Sequence, residues 1–193
     1  MKKTIVIIGA GEIGSRHLQA LSLIGMDCRI EVFDVSDASL EIAKNRFNEA
    51  YNTKTSNIKI VYSKNMNSMS KNVDLLILST SSKGREQIIK DVCMKSNIKN
   101  IILEKVIFQD PDSYERVNHI FQEKGINCWV NCWPRTIPLF KTIKDKIKDF
   151  ENFELHVSGN QWGLGCNSVH YLDLLNFFSK GAELIKIESV ISE

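Results

Sequence analysis

The chain has 193 residues, 43% hydrophobic, 25% charged and 8% aromatic, with 25 Lys+Arg against 23 Asp+Glu and a formal net charge of +2. That usage excludes collagen-like, low-complexity and wholly disordered chains, and the near-balance of charge gives no electrostatic reason to expect a nucleic-acid or membrane partner. A chain of this length buries about 70% of its unfolded surface and needs neither disulfide nor metal to hold together.

The N-terminal run has a β-branched stretch at 4–8, too short for a signal peptide and ending in Gly-x-Gly, so it predicts a buried strand. Residues 12–24 place Ile13, Leu18, Leu21 and Ile24 at helical spacing before Gly25. A strand at 29–33 follows, then a helix over 37–50 that Ser36 caps. Further strands are predicted at 58–62, 73–79, 100–103 and 127–131. Helices are expected over 84–96 and from Asp110-Pro111 to Gly125, proline being well placed in a first turn. Continuous apolar strands joined through helices require a parallel sheet covered on both faces, and right-handed crossovers make it a doubly wound α/β fold.

Composition shifts after Cys132, where Pro134 and Pro138 bracket Arg135. A basic amphipathic helix is expected over 139–150, its Lys-Asp-Lys-Ile-Lys run facing solvent. Strands at 153–158 and 184–190 around a helix at 167–179 read as the start of a second, α+β domain. Two strands do not bury both faces of a sheet, so self-association into a homo-oligomer is expected. No 18-residue apolar stretch exists to span a membrane. Five cysteines, at 28, 93, 128, 132 and 166, form no Cys-x-x-Cys pair, and no His or carboxylate pattern completes a zinc site with them. Buried, reduced thiols in a cytoplasmic protein without a metal are the expectation.

Gly9-Ala10-Gly11-Glu12-Ile13-Gly14 is a G-x-G-x-x-G run directly after the first strand. In that setting Gly9 permits a tight turn, Gly11 lets backbone approach a pyrophosphate, and Gly14 allows close helix packing. Free N–H groups over Ala10–Ile13 and the helix dipole would hold phosphates. Asp34, twenty residues beyond Gly14, stands where a carboxylate accepts ribose hydroxyls and repels a 2′-phosphate, which favours NAD over NADP. Lys44 and Arg46 lie too far along the second helix to argue otherwise, and His17 reads as a helix-face residue.

With Glu104-Lys105 closing a strand in such a chain, the sequence resembles the Gfo/Idh/MocA family of nicotinamide-dependent oxidoreductases, which act mostly on sugars, inositols and their derivatives. Ser79-Thr80-Ser81 resembles the family loop beside the nicotinamide, Asn131 to Arg135 its Asn-x-x-x-Arg segment, and His170-Tyr171-Leu172-Asp173 its His-x-x-Asp helix. Val106 stands where the family usually has proline, and Cys166 where it often has Asp. The 162–167 segment, beginning at Trp162, is similar to members associated with surface-polysaccharide and sugar-nucleotide pathways. The resemblance implies a dinucleotide-binding domain over 1–133 and a partial substrate and dimerisation domain over 134–193. It implies hydride transfer between nicotinamide and a hydroxyl or keto carbon of a sugar, sugar nucleotide or cyclitol. His170 would be the proton-transfer base and Lys105 would polarise the oxygen. Asp173 would orient the imidazole, Glu104 would orient Lys105 or its loop, and Arg135 and Asn167 would meet the substrate. Two competing readings are a truncated, non-catalytic dinucleotide-binding module and a methyltransferase. The latter gives Glu104, Lys105 and His170 no role.

Overall fold

The apolar run at the N-terminus forms β1 (Lys3–Ile8), and the glycine-rich turn leads into α1 (Glu12–Leu21). The computed structural model describes residues 2–51, 57–150, 152–160 and 163–179. The chain continues through β2 (Cys28–Phe33), α2 (Asp37–Ala50), β3 (Ile58–Ser63), β4 (Asn72–Val73), β5 (Leu75–Leu78) and α3 (Arg85–Lys95). Then come β6 (Asn97–Ile98), β7 (Asn100–Leu103), α4 (Asp112–Lys124), β8 (Asn127–Val130), α5 (Pro138–Ile147) and α6 (Leu164–Phe178). These residues fall into two compact units that divide between Asn131 and Cys132. No helix among the described residues is long and apolar enough to cross a membrane.

In the first unit six strands pair in parallel in the order β3-β2-β1-β5-β7-β8, the doubly wound arrangement expected. Strand side chains alternate between faces, so Ile5, Ile7, Ile30, Val32 and Ile77 pack with Leu18 of α1 and with Ala43 and Phe47 of α2. Val6, Ile8, Phe33, Leu76, Leu78, Ile101 and Leu103 pack on the other face with Ile89 and Val92 of α3 and with Val117 and Phe121 of α4. Each fully buried Ile or Leu contributes about 1.5–3 kcal/mol relative to an exposed one. The Ser36 hydroxyl accepts the Ser39 N–H at 3.3 Å, as the cap of α2 requires.

Two predicted elements change for reasons the hydrogen bonds show. The first helix ends at Leu21 rather than 24, because the Ser22 hydroxyl donates to the Gln19 carbonyl at 2.6 Å and turns the chain off the core. The strand predicted over 73–79 breaks at Asp74, whose carboxylate accepts the Thr4 N–H at 3.0 Å and the Lys99 ammonium at 2.9 Å. Its first part, β4, instead pairs with β6 in a separate two-stranded ribbon. From β3 to β4 the chain passes through one 3-10 turn, Met66–Ser68. Buried Glu31 ties that passage to the sheet by accepting the Ser70 N–H at 2.9 Å and its hydroxyl at 2.6 Å.

The second unit opens on a 3-10 turn, Trp133–Thr136, then α5, which Pro138 starts, and α6, which begins three residues before the predicted 167. The strand expected at 153–158 is not formed. Phe153, Leu155 and Val157 are half-buried and alternate with exposed neighbours, but a strand exists only by ladder bonds to another strand. The strand predicted at 184–190 and Trp162 lie outside the described residues. None of the five cysteines is in a disulfide, and Cys128 and Cys166 are exposed, against expectation. Cys128 lies on β8, an edge strand whose four residues are all exposed.

Candidate functional site

The register of the sheet builds a row of residues along its carboxyl edge. One ladder bond continues past each strand end: Asn131 donates to the Leu103 carbonyl at 2.9 Å, Glu104 to Leu78 at 3.1 Å and Ser79 to Ile8 at 2.9 Å. Gly9 likewise donates to Phe33 at 2.8 Å and Asp34 to Ser63 at 3.3 Å. Residues far apart in sequence therefore stand side by side where ligands of open α/β sheets bind.

Gly9 has φ +89°, and a Cβ there would lie 2.8 Å from the Thr80 nitrogen, so both conformation and space demand glycine. At Gly14 a Cβ would come within 1.8 Å of the Gly9 carbonyl oxygen and 2.6 Å of the Ser79 hydroxyl. The constraint on Gly14 is thus the turn's own carbonyl and the end of β5. The Ser79 hydroxyl donates to the Gly9 carbonyl at 2.7 Å and fixes the turn. Gly11 caps α1 with no side-chain cap bond, and a Cβ on it would meet nothing within 4 Å. Exposed, uncapped first-turn N–H groups with open space before them fit a phosphate.

Asp34 accepts the Ala10 N–H at 2.6 Å through one oxygen and the Ser36 N–H at 2.8 Å through the other. This corrects the expectation that Ala10 offers a free donor: the aspartate at the end of β2 takes it, leaving Gly11, Glu12 and Ile13 for phosphate. Each carboxylate oxygen keeps a second lone pair for a hydroxyl. Beside it lies a cavity of about 130 Å³ lined by Gly9, Phe33, Asp34, Val35, Lys64 and Thr80, among others. The buried Thr80 hydroxyl has no hydrogen-bond partner among the described residues. Arg46 reaches from α2 to the Glu12 carboxylate at 2.8 Å and the Ser15 hydroxyl at 2.6 Å. Arg46, with Arg16, holds the Glu12 carboxyl below its ordinary range and offsets an acid at the glycine turn.

At the end of β7, Glu104 is buried and accepts His17 Nε2 at 2.7 Å and Asn131 Nδ2 at 2.6 Å. Burial would raise its pKa, but these bonds and the charges of His17 and Lys105 outweigh that and hold it below the usual glutamate value. Lys105 is half-buried, and the peptide joining it to Val106 is cis. Glu104 thus joins α1, β7 and the end of β8, and His17 serves that junction rather than a plain helix face. Ser79, Thr80 and Lys105 stand at the same edge of the sheet, with Ser81 exposed beside them.

In the second unit Arg135 donates Nε and Nη2 to the two oxygens of Asp173, each at 2.5 Å. Asp173's hydrogen bonds push the arginine's pKa up. The carboxylate expected to orient the imidazole is therefore engaged by the guanidinium expected to meet substrate, and the two form one forked ion pair. His170 is buried and lines a cavity of about 310 Å³ with Trp133, Pro134, Phe140, Asn167 and Leu174, among others. The Trp133 ring meets its imidazole edge-on at 6.0 Å.

Residues 3–132 match the model of the Gfo/Idh/MocA oxidoreductase family, NAD-binding Rossmann fold. Comparison with curated proteins finds no match. Among solved structures, the chain resembles myo-inositol dehydrogenase from Lactobacillus casei, solved with NAD(H) and myo-inositol, at 15% identity and TM-score 0.69, covering 92% of this chain and 54% of that one. Myo-inositol 2-dehydrogenase from Lactobacillus plantarum aligns at 14% identity and TM-score 0.68, covering 92% and 56%. A probable dehydrogenase from Thermotoga maritima aligns at 16% identity and TM-score 0.69, covering 92% and 55%. The chain spans about half the length of these structures.

Proposed function

The chain belongs to the Gfo/Idh/MocA oxidoreductase family with its NAD-binding Rossmann fold, and from that membership we propose that it binds NAD in preference to NADP and serves hydride transfer at a hydroxyl or keto carbon of a sugar, sugar nucleotide or cyclitol. The observation that carries the reading is the carboxyl-edge row: an uncapped glycine turn, Asp34 and the Glu104-Lys105 strand end lie on one edge of one sheet. The inositol dehydrogenases among similar structures support the substrate class.

Gly11, Glu12 and Ile13 offer backbone N–H groups to the pyrophosphate. Asp34 accepts ribose hydroxyls with its spare lone pairs, and its charge opposes a 2′-phosphate. The cofactor supplies the hydride chemistry when bound. Lys105 polarises the substrate oxygen as a cation, and His170 takes or returns the hydroxyl proton. Asp173 holds Arg135 in place for the substrate, with Asn167 beside His170 in the same cavity. Residues 1–131 act as the cofactor domain and 132–193 as part of the substrate and self-association domain, a boundary two residues earlier than the expected 133.

Fluorescence titration with NADH and NADPH, followed by turnover assays over cyclitols, sugars and sugar nucleotides, tests this. NADH is expected to bind at least tenfold more tightly than NADPH. No NADH binding at millimolar concentration overturns the reading. Because the chain covers 55% of a structural relative, cofactor binding without turnover on any substrate supports a non-catalytic dinucleotide-binding module instead.

A further inference from the structure

Arg85 is the first residue of α3 and is 1% exposed. A cation there faces the positive end of the helix dipole, and burial adds a desolvation cost. No carboxylate lies within ion-pair distance of it among the described residues. Backbone carbonyls surround it instead. Nη1 donates to Glu104 O at 2.5 Å, Val106 O at 2.8 Å and Ile107 O at 2.9 Å, and Nη2 donates to Thr80 O. Three of these carbonyls bracket Lys105 in sequence. The fourth belongs to the residue whose nitrogen closes against Gly9, and its neighbour Ser79 bonds the Gly9 carbonyl. A single guanidinium therefore joins the lysine loop to the loop that supports the phosphate turn.

We infer that Arg85 is a positioning residue that sets the separation between the Lys105 loop and the glycine turn, so that one dinucleotide spans both. The inference rests on the cofactor reading above. A dinucleotide is a ligand of defined length, held at its pyrophosphate by one loop and met at its nicotinamide by another. An error of about 1 Å between the two loops is enough to spoil the geometry of transfer. An apolar side chain at position 85 would leave four carbonyls without this shared donor. Lysine keeps the charge and loses the planar fork that reaches several acceptors at once.

ADP-ribose and NADH separate the two loops, since ADP-ribose carries the adenosine and pyrophosphate but no nicotinamide. In Arg85→Lys and Arg85→Gln, ADP-ribose affinity is expected to stay within about threefold of the unaltered chain while NADH affinity falls at least tenfold. With no nucleotide present, acylation of Lys105 relative to exposed Lys99, read by mass spectrometry, should change at least threefold. Equal losses for both nucleotides, or an unchanged Lys105 rate, would make Arg85 a fold residue only and overturn the inference. An unaltered chain that binds neither nucleotide overturns the cofactor reading and this inference with it. Should both variants lose a cooperative melt, the NMR signals of the Arg85 guanidinium in the unaltered chain decide: they should shift with NADH and stay put with ADP-ribose. No shift with NADH overturns the positioning role.

Discussion

The two units place polar side chains by different means. In the first, backbone does the placing: parallel ladders end at one edge, and Asp34, Gly9, Ser79, Glu104 and Asn131 each hang from one more ladder bond. In the second, side chains place one another through the Arg135–Asp173 fork and the packing of Trp133 on His170, with no strand among the described residues. When a sheet edge loses one side chain, its neighbours are still placed by backbone, whatever the loss costs in stability. A site built on side-chain pairs depends on each member.

The largest expected effect tests how far the backbone frame can be pushed. Gly14→Ala forces a Cβ to within 1.8 Å of the Gly9 carbonyl oxygen, so the turn must open. Stability should drop by about 3 kcal/mol or more in urea denaturation, and NADH titration should show no binding. Next is Glu104→Ala, which removes a buried carboxylate, leaves its half-buried His17 and Asn131 partners unpaired and should cost about 2–4 kcal/mol. If Glu104→Ala costs as little as a surface substitution, the junction is not a structural one.

The second unit gives a smaller contrast. Asp173→Asn keeps the shape and weakens the fork, and should cost about 1 kcal/mol, since Arg135 remains partly exposed. Amide exchange in α6 should quicken while β1 and β5 stay unchanged. Acid provides the finest test. The Thr4 N–H and the Lys99 ammonium hold the Asp74 carboxyl down at about 2 against an ordinary 3.8. A depressed carboxyl stabilises fully above its unfolded value, and that contribution disappears as pH falls through about 2. Asp74→Asn should therefore flatten the melting-temperature profile between about pH 4 and pH 2 and leave it parallel to the original near neutrality.

Some of this site was legible in the sequence because its logic is local. The glycine turn, the strand before it and the acid after β2 follow one another within a single βαβ unit, where spacing alone sets their arrangement. His17 and Glu104 are 87 positions apart, and only the passage of the chain from β1 to β7 brings them together. Arg85 opens an otherwise ordinary amphipathic helix, where a charge reads as solvated; that four carbonyls converge on it depends on where two other loops end. The strand expected at 153–158 shows the converse: its alternation is present, yet pairing needs a neighbour that no pattern within the segment supplies.

Hydrophobic periodicity, glycine spacing and helix caps by themselves determined a parallel, doubly wound first unit with a tight glycine turn after its first strand, because each is a short-range consequence of backbone geometry. Tertiary structure alone decided that Asp34 takes the Ala10 donor, that Glu104 is clamped by His17 and Asn131, and that Asp173 is spent on Arg135. The physical reason is that a hydrogen bond has a reach of about 3 Å whatever the sequence separation. Which donor meets which acceptor is therefore set by the folded chain.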